Sequence, residues 1–323
     1  MTSKETANIP VTDVPTCSIC SSADRKLIAS GHDYEYETCD NLWTMWQCAK
    51  CSHVQLCPRP ADSALDLIYP KNYYSYNINR QVSSFALLCK KAMDEFKFRK
   101  ILSLIKSSPK SYLDIGCGDG RYLKLMSEKG VLKSNAHGIE LDATAVKSAQ
   151  AQGLNVHQCK IEDADHIQAG TIDLVTMFHV IEHVSDPNAV VSKIHKLLTG
   201  GGALIIETPN HESLDAGIFR ERYWGGYHFP RHWHIFTPRS MKDLLDRNGF
   251  RIHHLSFQPG HAFWLFSIHH VIKYKWKMPR LAACFHPLKS IPGLIIVVGF
   301  DMIRMLIGLK TSAMLIVALK KHQ

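Results

Sequence analysis

The stretch Tyr112-Leu-Asp-Ile-Gly-Cys-Gly-Asp-Gly-Arg121, followed by His137-Gly-Ile-Glu-Leu-Asp142, constrains this fold more than any other part of the chain. An apolar run ends at Asp114, glycines follow at Gly116, Gly118 and Gly120, and a helical pattern begins near Arg121. Without a Cβ the backbone turns sharply there and lets a ligand approach closely. Glu140 ends the next apolar run, placed to accept hydrogen bonds from two ribose hydroxyls. Strand, glycine loop, helix, strand and terminal acid in that order spell a nucleotide-cofactor site.

The rest of the pattern extends the same sheet. Leu154–Cys159 reads as a third strand and Ile172–Phe178 as a fourth, apolar on both faces as a buried parallel strand is. Asp186 and Pro187 open a helix that runs to about Leu198, and Gly200–Gly202 is expected to end it. Ala203–Thr208 is the fifth strand. Thr237 and Pro238 open another helix, closed by Gly249, and Phe250–Phe257 is the sixth strand. Thr311–Lys320 reads as the last. Alternating strands and helices predict an α/β fold with a doubly wound, Rossmann-like sheet of seven strands.

The glycine frame distinguishes the cofactor. A dinucleotide fingerprint has a glycine where Arg121 stands, and Asp114 and Asp119 would repel a pyrophosphate. They suit a ligand carrying an ammonium or sulfonium group. The loop resembles motif I of the class I S-adenosylmethionine-dependent methyltransferases, and Glu140 resembles the acid of their motif II. The resemblance implies S-adenosylmethionine as cofactor, with Asp114, Gly116, Gly118, Gly120, Glu140 and Phe178 as its contacts. Where the family carries a glycine–aspartate pair for the adenine, this chain has Cys159 and Lys160. Lysine cannot accept that hydrogen bond, and Asp163 (or Glu162) stands in for it.

Phe178-His-Val-Ile-Glu-His183 follows the fourth strand, on the side of the sheet that faces ligands. In one reading His183 or Glu182 is the general base. In another, His179, Glu182 and His183 gather a divalent cation, as a similar group in ubiquinone-pathway O-methyltransferases suggests. In a third, these residues only shape the loop over the cofactor. Downstream, Tyr223–Phe236 is rich in histidine and aromatics and is expected to cover the site. There His228, Arg231 and His232 are candidates for binding a phosphate or sugar hydroxyls, and His232 is also a rival base.

Cys17-Ser-Ile-Cys20 and Cys48-Ala-Lys-Cys51 form a paired Cys-x-x-Cys signature, which suits one tetrahedral structural zinc. Cys39, Cys57, His32 and His53 are spare ligands. Met1–Pro15 carries no apolar signal core, so these thiols are expected in a reducing, cytoplasmic setting. The paired knuckles and the tyrosine-rich stretch after them resemble a bacterial branch of class I methyltransferases with an N-terminal zinc ribbon, some of which methylate sugars. Tyr73, Tyr74 and Tyr76 line its substrate cleft in one reading and pack against the following helix, about Ser84–Ile105, in the other.

The expected organisation is a zinc ribbon over 1–60, a linker and helix over 61–108, the methyltransferase core over 109–260, an apolar helical insert over 261–310, and the last strand with its tail over 311–323. The insert is interrupted by Asp301 and Arg304, a poor pattern for crossing a bilayer. It suits the surface of a membrane, a homo-oligomer contact or a cap on the core. The formal net charge of +9 suits an acidic partner. The lysines and arginines are scattered, however, which argues against nucleic acid. The expected function is methyl transfer to a small molecule (a sugar, sugar–lipid, quinone-like or polyketide-like acceptor), O-methylation ahead of C- or N-methylation. The rivals are an RNA or protein methyltransferase and a membrane-docked cofactor-binding scaffold without turnover.

Overall fold

The computed structural model describes residues 7–70, 84–105, 108–287 and 290–321. Tyr73, Tyr74 and Tyr76 lie outside the described residues. The chain begins with β1 (Val11–Thr12), β2 (Arg25–Gly31), β3 (Trp43–Cys48), β4 (Val54–Leu56), β5 (Arg59–Pro60), α1 (Leu65–Ile68) and the long α2 (Ser84–Ile105). Strands and helices then alternate: β6 (Tyr112–Ile115), α3 (Arg121–Glu128), β7 (Ala136–Glu140), α4 (Ala143–Gln150), β8 (Asn155–Gln158), β9 (Ile172–Phe178), α5 (Pro187–Leu197), β10 (Leu198–Pro209), α6 (Leu214–Phe219), β11 (His234–Ile235), α7 (Pro238–Arg247) and β12 (Phe250–Gln258). The helices α8 (His261–His270), α9 (Pro279–Ala282) and α10 (Ile291–Leu306) precede the final β13 (Ala313–Lys320).

Seven strands form the main sheet in the order β12-β13-β10-β9-β6-β7-β8. The run from β10 to β8 is parallel, and β13 is antiparallel to both β10 and β12. Because strand side chains alternate between faces, each buried strand feeds two cores. Leu204 and Ile206 point to one, with Ile194 of α5 and Leu244 of α7. Ala203 and Ile205 point to the other, with Phe98 of α2, Leu123 of α3 and Val146 of α4. Helices on both faces make the sheet doubly wound.

The glycine run 200–202 does not end a helix. The α5 helix stops at Leu197, and Leu198 is already paired with Ile172 as the first residue of β10. The register slips between Leu198 and Ala203, so the glycines form a bulge within the strand.

Of the N-terminal strands, β1 and β5 pair with each other, and β2, β3 and β4 belong to a separate four-stranded sheet ordered β11-β4-β3-β2. Its edge strand β11 comes from the long loop after β10, with His234 opposite Gln55 and Ile235 opposite Val54. Among the described residues no helix is long and apolar enough to cross a membrane.

Candidate active site and metal centre

Asp114 lies within β6, buried to 2% exposure. Its Oδ1 accepts from Thr176 Oγ1 at 2.7 Å, and Thr176 in turn meets the Tyr112 hydroxyl at 2.5 Å. Its Oδ2 is buried without a hydrogen-bond partner. Burial pushes the carboxyl up to about 7, against the stabilising hydrogen bond from Thr176. An orphaned buried carboxylate oxygen suits a cationic ligand group, and the ammonium of a bound amino acid is one.

The loop beyond it is shaped for close approach. Gly116 has φ of +73°, and a Cβ there would meet Val180 Cγ2 at 2.4 Å. Gly118 also has positive φ, but its Cβ position faces open space. Gly120, with φ of 80°, caps α3. Glu140 ends β7 and takes the Gly118 amide at 2.9 Å on Oε2. Its Oε1 accepts from the Leu141 and Asp142 amides at 2.7 and 2.9 Å. The acid is thereby locked beside the open glycine. Phe178 closes the end of β9, edge-on to Phe98 and Tyr122. Asp163 sits on an exposed short helical turn after β8. The residues therefore fit S-adenosylmethionine on the methionine side, through the orphaned Asp114 oxygen and the open cradle at Gly118.

The turn after β9 is strained. His179 adopts φ of 54°, a left-handed conformation uncommon for a residue with a Cβ. Its imidazole lies between Glu182 Oε1 at 3.2 Å and Glu207 Oε1 at 3.5 Å. Burial opposes its charge, but the hydrogen bonds to the two carboxylates win and lift it to about 10. Glu207 also pairs with Lys97 at 2.5 Å, and these cations hold it down to about 2 against burial. Glu182, the alternative base, is fully buried, with Oε2 accepting from Thr208 at 3.0 Å and Oε1 facing His179. Both its oxygens are engaged, which suits holding rather than proton transfer.

His183 is different. Its Nδ1 lies 2.9 Å from the Arg231 carbonyl, to which only a protonated nitrogen can donate. Tyr69 Oη stands 3.2 Å from the same nitrogen. Nε2 is then the nitrogen with the free lone pair. Burial holds the ring down to about 4, so it is uncharged near neutrality. His232 is buried, with Nδ1 on the Gly226 carbonyl at 2.7 Å, and burial keeps it well below the ordinary histidine range. Its ring centroid is 4.7 Å from that of His183. The residues that converge as a candidate cation group are Glu182, His183 and His232, with ligand atoms within 4.8 Å of one another. His179 is not among them.

The loop carrying His232 is anchored from the N-terminal module. Arg231 is fully buried, its guanidinium forked onto Asp33 at 3.0 and 2.9 Å and donating to the Ile68 carbonyl at 2.7 Å. Arg231 is thus a structural clamp, and the expectation that it binds an acceptor phosphate is replaced. His228 meets Glu35 at 2.7 Å. Thr176, Lys97, Glu207, Tyr69 and Asp33 escape sequence reasoning. Only Thr176 leaves a signal there, as the polar residue in the middle of an apolar strand.

The four cysteines come together as the spacing predicts. Cys17 and Cys51 Sγ atoms are 3.5 Å apart, Cys20 and Cys48 3.6 Å, and all four lie within 4.8 Å of one another. Four thiolates at about 2.3 Å from one ion stand about 3.8 Å apart, so the set fits a tetrahedral zinc. The two knuckles are built alike. Ser21 and Ser52 each follow the second cysteine with positive φ, and each donates its amide to the carbonyl of the first, Cys17 or Cys48. The spare ligands are used elsewhere: Cys57 meets Asp13 at 2.9 Å, and His53 meets His234 at 3.0 Å.

The chain has relatives among known proteins. A family model described as a methyltransferase domain matches residues 89–255. A ubiquinone biosynthesis O-methyltransferase of Idiomarina loihiensis is 34% identical over 170 residues, covering 48% of this chain and 69% of that protein. One of Psychrobacter arcticus is 34% identical over 112 residues, covering 31% of this chain, and the chain spans only 41% of its length. Among solved structures, a SAM-dependent methyltransferase from Archaeoglobus fulgidus covers 74% of this chain and 100% of its own, at TM-score 0.47 and 18% identity. With the family match spanning just over half its length, the chain belongs to the methyltransferase-domain family, with the seven-stranded sheet of the class I S-adenosylmethionine-dependent enzymes.

Proposed function

We propose that the protein moves a methyl group from S-adenosylmethionine to a hydroxyl of a small-molecule acceptor, with His183 as the general base. The orientation of His183 carries this reading: Nδ1 faces the Arg231 carbonyl, so Nε2 keeps the lone pair that can take a proton. The names of the Idiomarina and Psychrobacter relatives support O-methylation and a quinone-like acceptor. S-adenosylmethionine, when bound, supplies an electrophilic methyl group on its sulfonium. Asp114 holds its ammonium, Gly116, Gly118 and Gly120 give it room, and Glu140 holds the ribose. Phe178 and Asp163 flank the remainder. His183 Nε2 removes the hydroxyl proton of the acceptor, and Glu182, with the His179 imidazolium, fixes the turn on which His183 rides. A second reading gives Glu182, His183 and His232 a divalent cation, favoured by their mutual distances.

Cys17, Cys20, Cys48 and Cys51 hold a structural zinc in this reading. The region 261–310 serves as an attachment surface, to a membrane or to a second copy of the chain, on a cytoplasmic enzyme.

The test is transfer of label from radiolabelled S-adenosylmethionine into host extract separated into lipid, small-molecule, RNA and protein pools. Label is expected in the lipid or small-molecule pool. His183→Ala should cut transfer by about 10²–10⁴-fold with little change in cofactor affinity, while Glu140→Ala mainly weakens cofactor binding. Label in RNA or protein, or cofactor binding with transfer to no pool, overturns the assignment.

A further inference from the structure

The α10 helix is amphipathic the wrong way round. Its two charged residues, Asp301 and Arg304, point inward and are buried. Asp301 accepts from the Gly260 amide at 3.2 Å, the Trp264 indole at 3.3 Å and Arg304 at 3.1 Å. Arg304 also donates to the Lys310 carbonyl at 2.5 Å. The face turned to water is apolar from end to end. Ile291, Ile295, Ile296, Ile303 and Leu306 are each 63–82% exposed, and Phe300 44%. At 1.5 Å per residue this unpartnered stripe is about 24 Å long. A surface helix of a free globular protein has the opposite polarity, and contiguous exposed apolar faces mark interaction sites.

The charge of the segment that carries this face points to what covers it. Residues 261–310 contain seven lysines and arginines and one acid, Asp301, which is taken up by Arg304, while Lys273 and Lys310 pair with Glu37 and Glu212 from outside the segment. Lys275-Trp-Lys-Met-Pro-Arg280 is exposed throughout, so three cations alternate with an exposed indole and thioether. This turn continues directly from α8, the helix on which α10 also packs. A surface that is anionic outside and apolar a few ångströms beneath complements both features.

We propose that the outward face of α10 and the Lys275–Arg280 turn seat the protein on an anionic lipid surface. The proposal rests on reading the insert as an attachment surface and is independent of methyl transfer. The helix lies in the plane of the surface, its isoleucines and leucine among the acyl chains and the lysines among the headgroups. Each lysine at such a surface is worth about a fivefold gain in binding, and the gain is screened by salt.

The experiment is co-sedimentation of the full chain with vesicles of phosphatidylcholine alone and of phosphatidylcholine mixed with phosphatidylglycerol, beside sedimentation velocity without vesicles. The wild type should pellet with the mixed vesicles at least tenfold better than with the neutral ones, and high salt should release it. Ile296→Asp with Ile303→Asp should abolish pelleting and leave thermal melting and S-adenosylmethionine affinity unchanged, since both side chains are exposed. Lys275→Glu with Lys277→Glu should erase the preference for phosphatidylglycerol. Equal binding to both vesicles, or pelleting indifferent to the two aspartates, overturns the proposal. A dimer that the aspartates dissolve, with no vesicle binding, assigns the face to a second copy instead.

Discussion

Asp114 has one oxygen held by Thr176 and the other buried without a partner, and burial lifts its carboxyl from 3.8 to about 7. Between those values the folded, cofactor-free protein holds a proton that the unfolded chain has lost. Stability of the free protein therefore declines as pH rises through that window. A bound ammonium reverses the preference by favouring the carboxylate, so cofactor binding at about pH 6 should release close to one proton. Titration calorimetry in two buffers of different ionisation enthalpy counts it. Asp114→Asn should bind more weakly with no release, and a wild-type proton count of zero would sink this assignment. The glycine spacing pointed to this residue. The Tyr112–Thr176–Asp114 chain that fixes it was not legible, because it joins side chains 62 residues apart on neighbouring strands.

At the scale of elements, the cysteine knuckles do more than hold their own loops. Their sheet ends at β11, which belongs to the loop carrying Arg231 and His232. That loop offers the carbonyl on which His183 is oriented. Removing the metal should therefore reach the catalytic turn. Structural zinc supplies about 10–16 kcal/mol in small zinc peptides, so its loss leaves β2–β4 without their organising centre. Cys48→Ser, with metal content measured directly, should lose zinc, melt at lower temperature and transfer methyl groups at least tenfold more slowly. Cofactor affinity should change far less, because the glycine loop lies on β6 and β7. Equal loss of affinity and turnover would place the module's influence elsewhere. The knuckles were legible because a shared metal would impose local spacing, and β9 was legible to the residue because a buried strand is predominantly apolar on both faces. The pairing of β11 with β4 was not, since a two-residue strand leaves no periodic trace. The glycines in β10 misled for a related reason: they suit a helix end and a bulge equally well.

On the scale of the whole molecule, the N-terminal module and the central sheet should behave as one folding unit. The weld is Asp33–Arg231, two fully buried side chains 198 positions apart, with Arg231 also donating to the Ile68 carbonyl. Burial disfavours the Asp33 carboxylate, but the guanidinium wins and holds it down to about 2 from 3.8. Its folded value is depressed, so this contribution is complete above about pH 4 and lost as pH falls toward 2. Breaking one side is costlier than removing both, because a lone buried charge has no compensation. Arg231→Met should lower the free energy of unfolding by about 3–5 kcal/mol, and adding Asp33→Leu should return a large part of it. Urea titration followed by near-ultraviolet circular dichroism reads both. In the wild type, the tryptophan signal of the module, from Trp43, Trp224 and Trp233, and the far-ultraviolet signal of the whole chain should change in a single transition. In Arg231→Met the module should open first, taking the loop over His183 with it while the glycine loop still binds cofactor. If Arg231→Met loses less than about 1 kcal/mol, the pair is not the weld, and the module is an independent appendage on a complete catalytic domain.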